Sequence, residues 1–242
     1  MNLLSVIKIN IVMIVKVCGM RDPENIRALQ QLDVDWMGFI FWPQSPRFVQ
    51  MVSSRAGIIP DYSSLKEDRP TAKEQTITSN IKRVGVFVDE MPQSIVTRVY
   101  NYHLDIVQLH GSESRAMIEN LRRTLVPDIQ PDIKIMKAIS IETADDFKKT
   151  ADYEGAVDYF LFDTKCQEVG GSGQRFNWAL LDEYKGDTPF ILSGGIAPDM
   201  AEEIMQIKHP QFLGIDLNSR FETEPGVKDI EKIKSFVSLL RK

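Results

Sequence analysis

FLFDTKCQEVGGSG, residues Phe160–Gly173, runs from an uninterrupted apolar stretch through an acid into a glycine-rich loop. So short a run, apolar at every position, reads as a strand covered on both faces, which is how strands of a parallel sheet look when helices pack on them. Asp163 closes that strand as a candidate proton donor, held rigidly by the sheet. Gly170, Gly171, Ser172 and Gly173 form a candidate phosphate cradle, because a backbone poor in side chains can aim its N–H groups at an anion. Each half alone is common in proteins, and the pairing gains its weight from the segments on either side.

Working outward, the same unit recurs. The strand itself is read over Val157–Phe162, with a helix over Trp178–Tyr184. Downstream, Phe190–Leu192 meets Ser193-Gly194-Gly195, a helix opens at Pro198 and runs to Ile207, Phe212–Ile215 is the last strand, and Asp229–Leu240 is the closing helix. Upstream, strands are expected at Val84–Val88, Ile106–Leu109 and Ile133–Ile139, with helices at Ser94–Tyr102, Glu113–Leu125 and Ala144–Ala151. At the start, Ile14–Val17 is a β-branched strand ending at Cys18-Gly19, and Asp22-Pro23 caps and opens a helix through Ile26, Leu29 and Leu32. Trp36–Phe41 is the second strand, stopped at Trp42-Pro43, and Val52–Ile59 is the expected second helix.

That makes eight strand-then-helix units. The reading is an α/β protein with a single (β/α)8 TIM barrel over residues 14–242, preceded by an N-terminal extension at 1–13 and carrying a mobile insertion at 60–80. An open doubly wound sheet more often has five or six strands, and no GxGxxG follows the first strand here. MNLLSVIKINIVMIV is apolar enough to imitate a leader, but Lys8 and Asn10 interrupt it, so it is read as running into the first strand.

With 29 basic against 34 acidic residues and no basic stripe, a general affinity for nucleic acid is not expected, and neither is a membrane span. Cys18 and Cys166 are far apart without CxxC spacing, and there are three histidines, so neither a zinc site nor a disulfide framework is suggested; a reducing compartment, the cytoplasm, is expected.

In such a barrel the C-terminal strand ends converge on one face. There lie Cys18, Arg47, Asp89, His110, Asp163, the Ser193-Gly194-Gly195 turn and Asp216. Glycines after the sixth and seventh strands fall where these barrels hold phosphate, so a small phosphorylated substrate is expected. Asp163 and Cys18 sit on opposite parts of the rim, as an acid and a base acting on two sides of one molecule would. Cys18 acts as a base only as thiolate and therefore needs positive charge nearby; its plain alternative is a buried small hydrophobe. Arg47 suits a bidentate clamp on a carboxylate, although an isolated arginine is more often solvated. His110 reads as a structural or hydrogen-bonding residue, Asp89 as a loop acid and Cys166 as a tolerated loop thiol.

KVCGM (Lys16–Met20), GFIFWPQSPRF (Gly38–Phe48), RVGVFVDE (Arg83–Glu90), VQLHGSE (Val107–Glu113), FDTK (Phe162–Lys165), GGSG (Gly170–Gly173) and LSGGIAPD (Leu192–Asp199) together resemble the successive signatures of the phosphoribosylanthranilate isomerase family of tryptophan biosynthesis. The resemblance covers the chain from about Val15 onward. It implies an Amadori rearrangement of N-(5-phosphoribosyl)anthranilate without metal or organic cofactor, with Asp163 as general acid and Cys18 as general base. It further implies Arg47 on the anthranilate carboxylate, backbone amides of Gly171, Ser172, Gly194 and Gly195 on the phosphate, and Asp216 and Ser219 completing the substrate-binding set. Monomer and homodimer are both compatible with it. One departure stands out: where the family has a serine-serine-glycine turn after the last strand, the segment here is Asp216-Leu217-Asn218-Ser219-Arg220-Phe221-Glu222, with Arg220 offering charge in place of the lost glycine. If that turn needs a positive φ, a residue with a Cβ resists it, and Arg220→Gly is expected to alter substrate affinity more than turnover. A related phosphate-binding barrel enzyme, or a phosphate-binding barrel whose catalysis has lapsed, is the alternative; retention of both Cys18 and Asp163 argues against the latter.

Overall fold

The computed structural model describes residues 13–51, 80–164 and 178–242. Eight parallel strands close into a barrel in sequence order: β1 Ile14–Cys18, β2 Trp36–Ile40, β3 Lys82–Phe87, β4 Ile106–Leu109, β5 Lys134–Ile141, β6 Tyr159–Thr164, β7 Phe190–Ser193 and β8 Phe212–Leu217, with β8 returning to β1. The α-helices are α1 Pro23–Leu29, α2 Pro92–Tyr102, α3 Arg115–Leu125, α4 Ala201–Met205 and α5 Ile230–Leu240. After β5 and β6 the helical segments are 3-10, at Ala144–Asp152 and Trp178–Glu183, where α-helices were expected. A short antiparallel pair, β9 Glu222–Glu224 and β10 Val227–Lys228, lies between β8 and α5. The expected extension at 1–13 falls almost wholly, and the second helix at Val52–Ile59 and the insertion at 60–80 wholly or nearly so, outside the described residues.

Local sequence explains the element starts. Asp22 caps α1 by accepting from the Asn25 N–H at 2.8 Å, with Pro23 in the first turn, where its missing donor costs nothing. Ser114 caps α3 and Asp229 caps α5 in the same way. The sixth strand begins two residues later than the apolar run and continues through Asp163 and Thr164, pairing Asp163 with Ser140 on β5 and Ser193 on β7. Asp163 is thus a strand residue, not a loop residue.

Strand alternation sorts the buried residues into two compartments. Val15, Val17, Phe39, Phe87, Phe160, Phe162, Phe190 and Ile215 pack outward against the helices. Trp36, Val84, Ile106, Met136, Ala138, Leu161 and Ile191 fill the barrel interior, where the Trp36 and Tyr159 rings meet at 5.3 Å between centroids. One step further along the same inward faces come Cys18, Gly38, Gln108, Ser140, Asp163, Ser193 and Asp216. The interior is therefore apolar low in the barrel and polar at its C-terminal rim.

Candidate active site

Cys18 is the last residue of β1 and is 3% exposed. Its neighbour in register on β2 is Gly38, where a Cβ would stand 2.8 Å from the Cys18 Sγ. No side chain larger than hydrogen fits there without displacing the sulfur, so Gly38, which in sequence reads only as part of an apolar strand, is a steric requirement of the site. Two residues before the cysteine, on the same inward face, Lys16 is fully buried and donates to Asp216 Oδ2 at 2.8 Å, its register partner on β8. Burial opposes the Lys16 charge, but Asp216 and the Cys18 sulfur outweigh it and raise the ammonium above its ordinary value. Asp216 is a buried partner of Lys16, since a strand residue aimed into the barrel meets β1 before it meets solvent. Its second oxygen, Oδ1, is buried and makes no hydrogen bond among the described residues.

Beside this pair a second charged group holds Arg47. The guanidinium binds Glu222 bidentately, Nε to Oε1 at 2.8 Å and Nη2 to Oε2 at 2.6 Å. Glu222 also accepts from Lys228 Nζ at 2.6 Å and from the Gly226 N–H at 3.1 Å, while Lys228 Nζ reaches Asn218 Oδ1 at 2.8 Å. Burial works against the Glu222 carboxylate, yet the hydrogen bonds from Arg47 and Lys228 hold it down to about 2. Arg47 is therefore not a solvated surface cation: its fork is locked, and Nη1 is the nitrogen not committed to Glu222.

Across the rim, Asp163 has 28% of its side chain exposed, and His110 Nε2 lies 3.6 Å from its Oδ2. Gln108, buried in β4, lies 3.1 Å from His110 Nδ1. His110 thus touches the candidate acid through a ring oriented from beneath. Thr164, the residue after Asp163, donates its hydroxyl to the Ser193 and Gly194 carbonyls at 2.8 and 3.2 Å, tying β6 to the turn after β7. In that turn Gly194 has φ +90, and a Cβ there would lie 2.0 Å from the Thr164 carbonyl oxygen; only glycine fits. Gly195 follows, also at positive φ, just ahead of the helical segment that begins at Pro198. Gly170, Gly171, Ser172, Gly173 and Cys166 lie outside the described residues.

After β8, Ser219–Phe221 is a 3-10 turn and no residue from Asp216 to Glu224 has positive φ. The Cβ of Arg220 therefore meets no conformational penalty, which removes the expected backbone cost of losing a glycine. Ser219 is exposed on this turn. Asp89 accepts from the Ser112 N–H and hydroxyl at 2.7 and 2.8 Å, clasping the loops after β3 and β4.

A closed parallel barrel with a thiol, a carboxylate and a locked arginine gathered on its C-terminal rim defines a (β/α)8-barrel enzyme. The family described as N-(5'phosphoribosyl)anthranilate (PRA) isomerase matches residues 15–239. N-(5'-phosphoribosyl)anthranilate isomerase of Parabacteroides distasonis is 47% identical over 225 residues, spanning 93% of this chain and 92% of that one. The crystal structure of phosphoribosyl anthranilate isomerase from Thermotoga maritima superposes with a TM-score of 0.69 at 28% identity, over 95% and 98% of the two chains. A crystal structure of phosphoribosyl anthranilate isomerase in complex with reduced 1-(o-carboxyphenylamino)-1-deoxyribulose 5-phosphate shares the fold, with a TM-score of 0.68 at 24% identity over 95% and 98%. The chain belongs to the phosphoribosylanthranilate isomerase family and is an isomerase of tryptophan biosynthesis. Among the described residues no helix is long and apolar enough to cross a membrane.

Proposed function

We propose that the rim of the barrel carries out the Amadori rearrangement of N-(5-phosphoribosyl)anthranilate with Asp163 as general acid and Cys18 as general base. Protonated Asp163 gives its proton to the furanose ring oxygen, the C1–O bond breaks, and the anilino nitrogen lone pair closes an iminium. The Cys18 thiolate then takes the C2 proton; the C–H electron pair becomes the C1=C2 bond and the iminium electrons return to nitrogen. The resulting enol tautomerises to 1-(o-carboxyphenylamino)-1-deoxyribulose 5-phosphate. Substrate and product are isomers, so the balance calls for no redox partner.

The observation that carries this reading is the placement of Cys18 on β1 and Asp163 on β6, both on inward-facing rim positions of a barrel of this family. Arg47 offers Nη1 to the anthranilate carboxylate. Gly194 and Gly195, with Gly171 and Ser172, offer backbone to the phosphate, and Ser219 stands on the adjoining turn. The phosphorylated ligand held by the related barrel enzyme supports a substrate of this kind. A mechanism that needs a free thiol suits the reducing cytoplasm.

The test is a steady-state assay of phosphoribosylanthranilate consumption, read by anthranilate fluorescence. Cys18→Ala and Asp163→Asn are each expected to lose roughly a hundredfold to ten-thousandfold in turnover while remaining folded. A variant that retains most of its turnover removes that residue from the chemistry.

A further inference from the structure

We propose that Lys16, seated by Asp216 inside the barrel, is a positioning residue for the isomerase reaction, one that keeps the Cys18 sulfur available as thiolate. The inference rests on the reading of Cys18 as the base, and it starts from the cost of the arrangement. An ammonium and a carboxylate, both almost without solvent exposure, stand in the barrel interior at 2.8 Å from one another. Such a pair gains little stability over apolar residues of the same volume. Among the described residues it is also incompletely satisfied, since Asp216 Oδ1 is buried without a hydrogen-bond partner there.

What the pair does gain is a place beside the sulfur. Lys16 and Cys18 are two residues apart on β1 and point the same way, so the ammonium held by Asp216 lies next to the sulfur along one buried inward face. The charged groups acting on Cys18 come from several elements: Lys16 on β1, Asp216 on β8, Lys228 on β10 and Arg47 in the loop after β2. Asp163 on β6 acts in turn on Asp216. In the set of Lys16, Asp216, Lys228, Glu222 and the half-buried Arg47, three cations face two carboxylates, leaving one positive charge that an anion can balance. A thiolate at Cys18 and the carboxylate of an incoming substrate are the two candidates the site offers. Burial is the largest influence on the thiol and pushes it up; Lys16 and Lys228 pull it down, and Asp216 pushes it up again. Burial thus disfavours the thiolate, and Lys16 opposes that effect.

The two halves of the pair should therefore act on the sulfur in opposite directions, which a purely structural role would not produce. In a Cys166→Ser background, the ultraviolet absorbance of the Cys18 thiolate is titrated against pH, with Cys18→Ser as the blank, alongside the pH profile of kcat/KM. Lys16→Met is expected to move the thiolate midpoint and the acidic limb of kcat/KM upward by about one pH unit or more, a tenfold loss of thiolate. Asp216→Asn leaves the ammonium with the thiolate as its nearest counter-ion, and the midpoint is expected to fall. Shifts of the same sign, or an unmoved midpoint in Lys16→Met, overturn the proposal. If Lys16→Met does not fold, Asp216→Asn decides alone: a fall supports the proposal and a rise or no change overturns it. Full activity in Cys18→Ala would instead sink the base assignment, independently of how the thiol titrates.

Discussion

Glu222 shows how one residue outside any recognisable motif governs a site. Its carboxylate uses both oxygens on Arg47 and shares one of them with Lys228, so the orientation of the arginine is fixed before any substrate arrives. Glu222→Gln keeps the shape but removes the charge, and it is expected to raise KM more than it lowers kcat, because Glu222 binds Arg47 directly and reaches Cys18 only through the charge of Lys228. The same substitution has a stability signature. The carboxyl is held at about 2 against an ordinary 4.5, so the wild type binds fewer protons there than the unfolded chain does. Its contribution is present in full above the ordinary value and is lost as pH falls from 4.5 toward 2. Urea midpoints measured across that range should converge for wild type and Glu222→Gln as pH falls; a constant gap would mean that Glu222 carries no charge-linked stability.

At the scale of elements, one clasp is repeated around the base of the barrel. Asp35, Asp105 and Asp158 each immediately precede an even-numbered strand. Each donates its N–H to the carbonyl of one residue at the start of the preceding odd strand, at 3.0, 2.9 and 2.8 Å, and accepts that residue's N–H on its carboxylate. The partners are Val15, Arg83 and Ile135, with carboxylate distances of 2.8, 2.7 and 2.8 Å. Between β7 and β8, a backbone bond from Phe190 to Gln211 takes that place. Asp105→Ala leaves the Arg83 N–H without its acceptor and is expected to cost about 1–3 kcal/mol in urea unfolding. With the clasp at the end of the barrel away from the rim, kcat should be unchanged; a matching loss of kcat would show that the base is coupled to the site. These aspartates were visible in the sequence as single acids ahead of apolar runs, but their function depends on a register between strands that no single run reveals. The strands themselves were legible because burial on both faces leaves continuous apolar runs. The segments after β5 and β6 were not, since amphipathic spacing does not separate a 3-10 helix from an α-helix over so few residues. Of the candidate site, Cys18, Arg47 and Asp163 were legible as candidates because their residue types at strand ends or in the loops beyond suit proton transfer and carboxylate binding. Lys16, Gly38, Thr164 and Glu222 were hidden, since they act only through neighbours brought close by barrel closure.

The molecule as a whole is graded from bottom to top. Inside the barrel, Trp36, Ile106, Met136, Leu161 and Ile191 form an apolar plug, and Lys16, in register with Trp36, brings its ion pair with Asp216 into the same restricted interior. The plug supplies stability and the ion pair consumes part of it, because two ions withdrawn from water recover through one 2.8 Å contact only part of what desolvation removes. This division predicts a particular non-additivity. Lys16→Met leaves an unpaired buried carboxylate and Asp216→Leu an unpaired buried ammonium, and each is expected to cost about 3–5 kcal/mol. In the double variant both charges are gone and apolar side chains extend the plug, so its stability should return to within about 1 kcal/mol of wild type or exceed it. Its isomerase activity should remain as low as that of Lys16→Met, since the ammonium beside Cys18 is absent in both. Urea unfolding of the four proteins closes the double-mutant cycle. Losses that simply add would show the pair to be two independent contributors to stability. A stable double variant with normal turnover would show that the barrel keeps these charges for something other than the chemistry at Cys18.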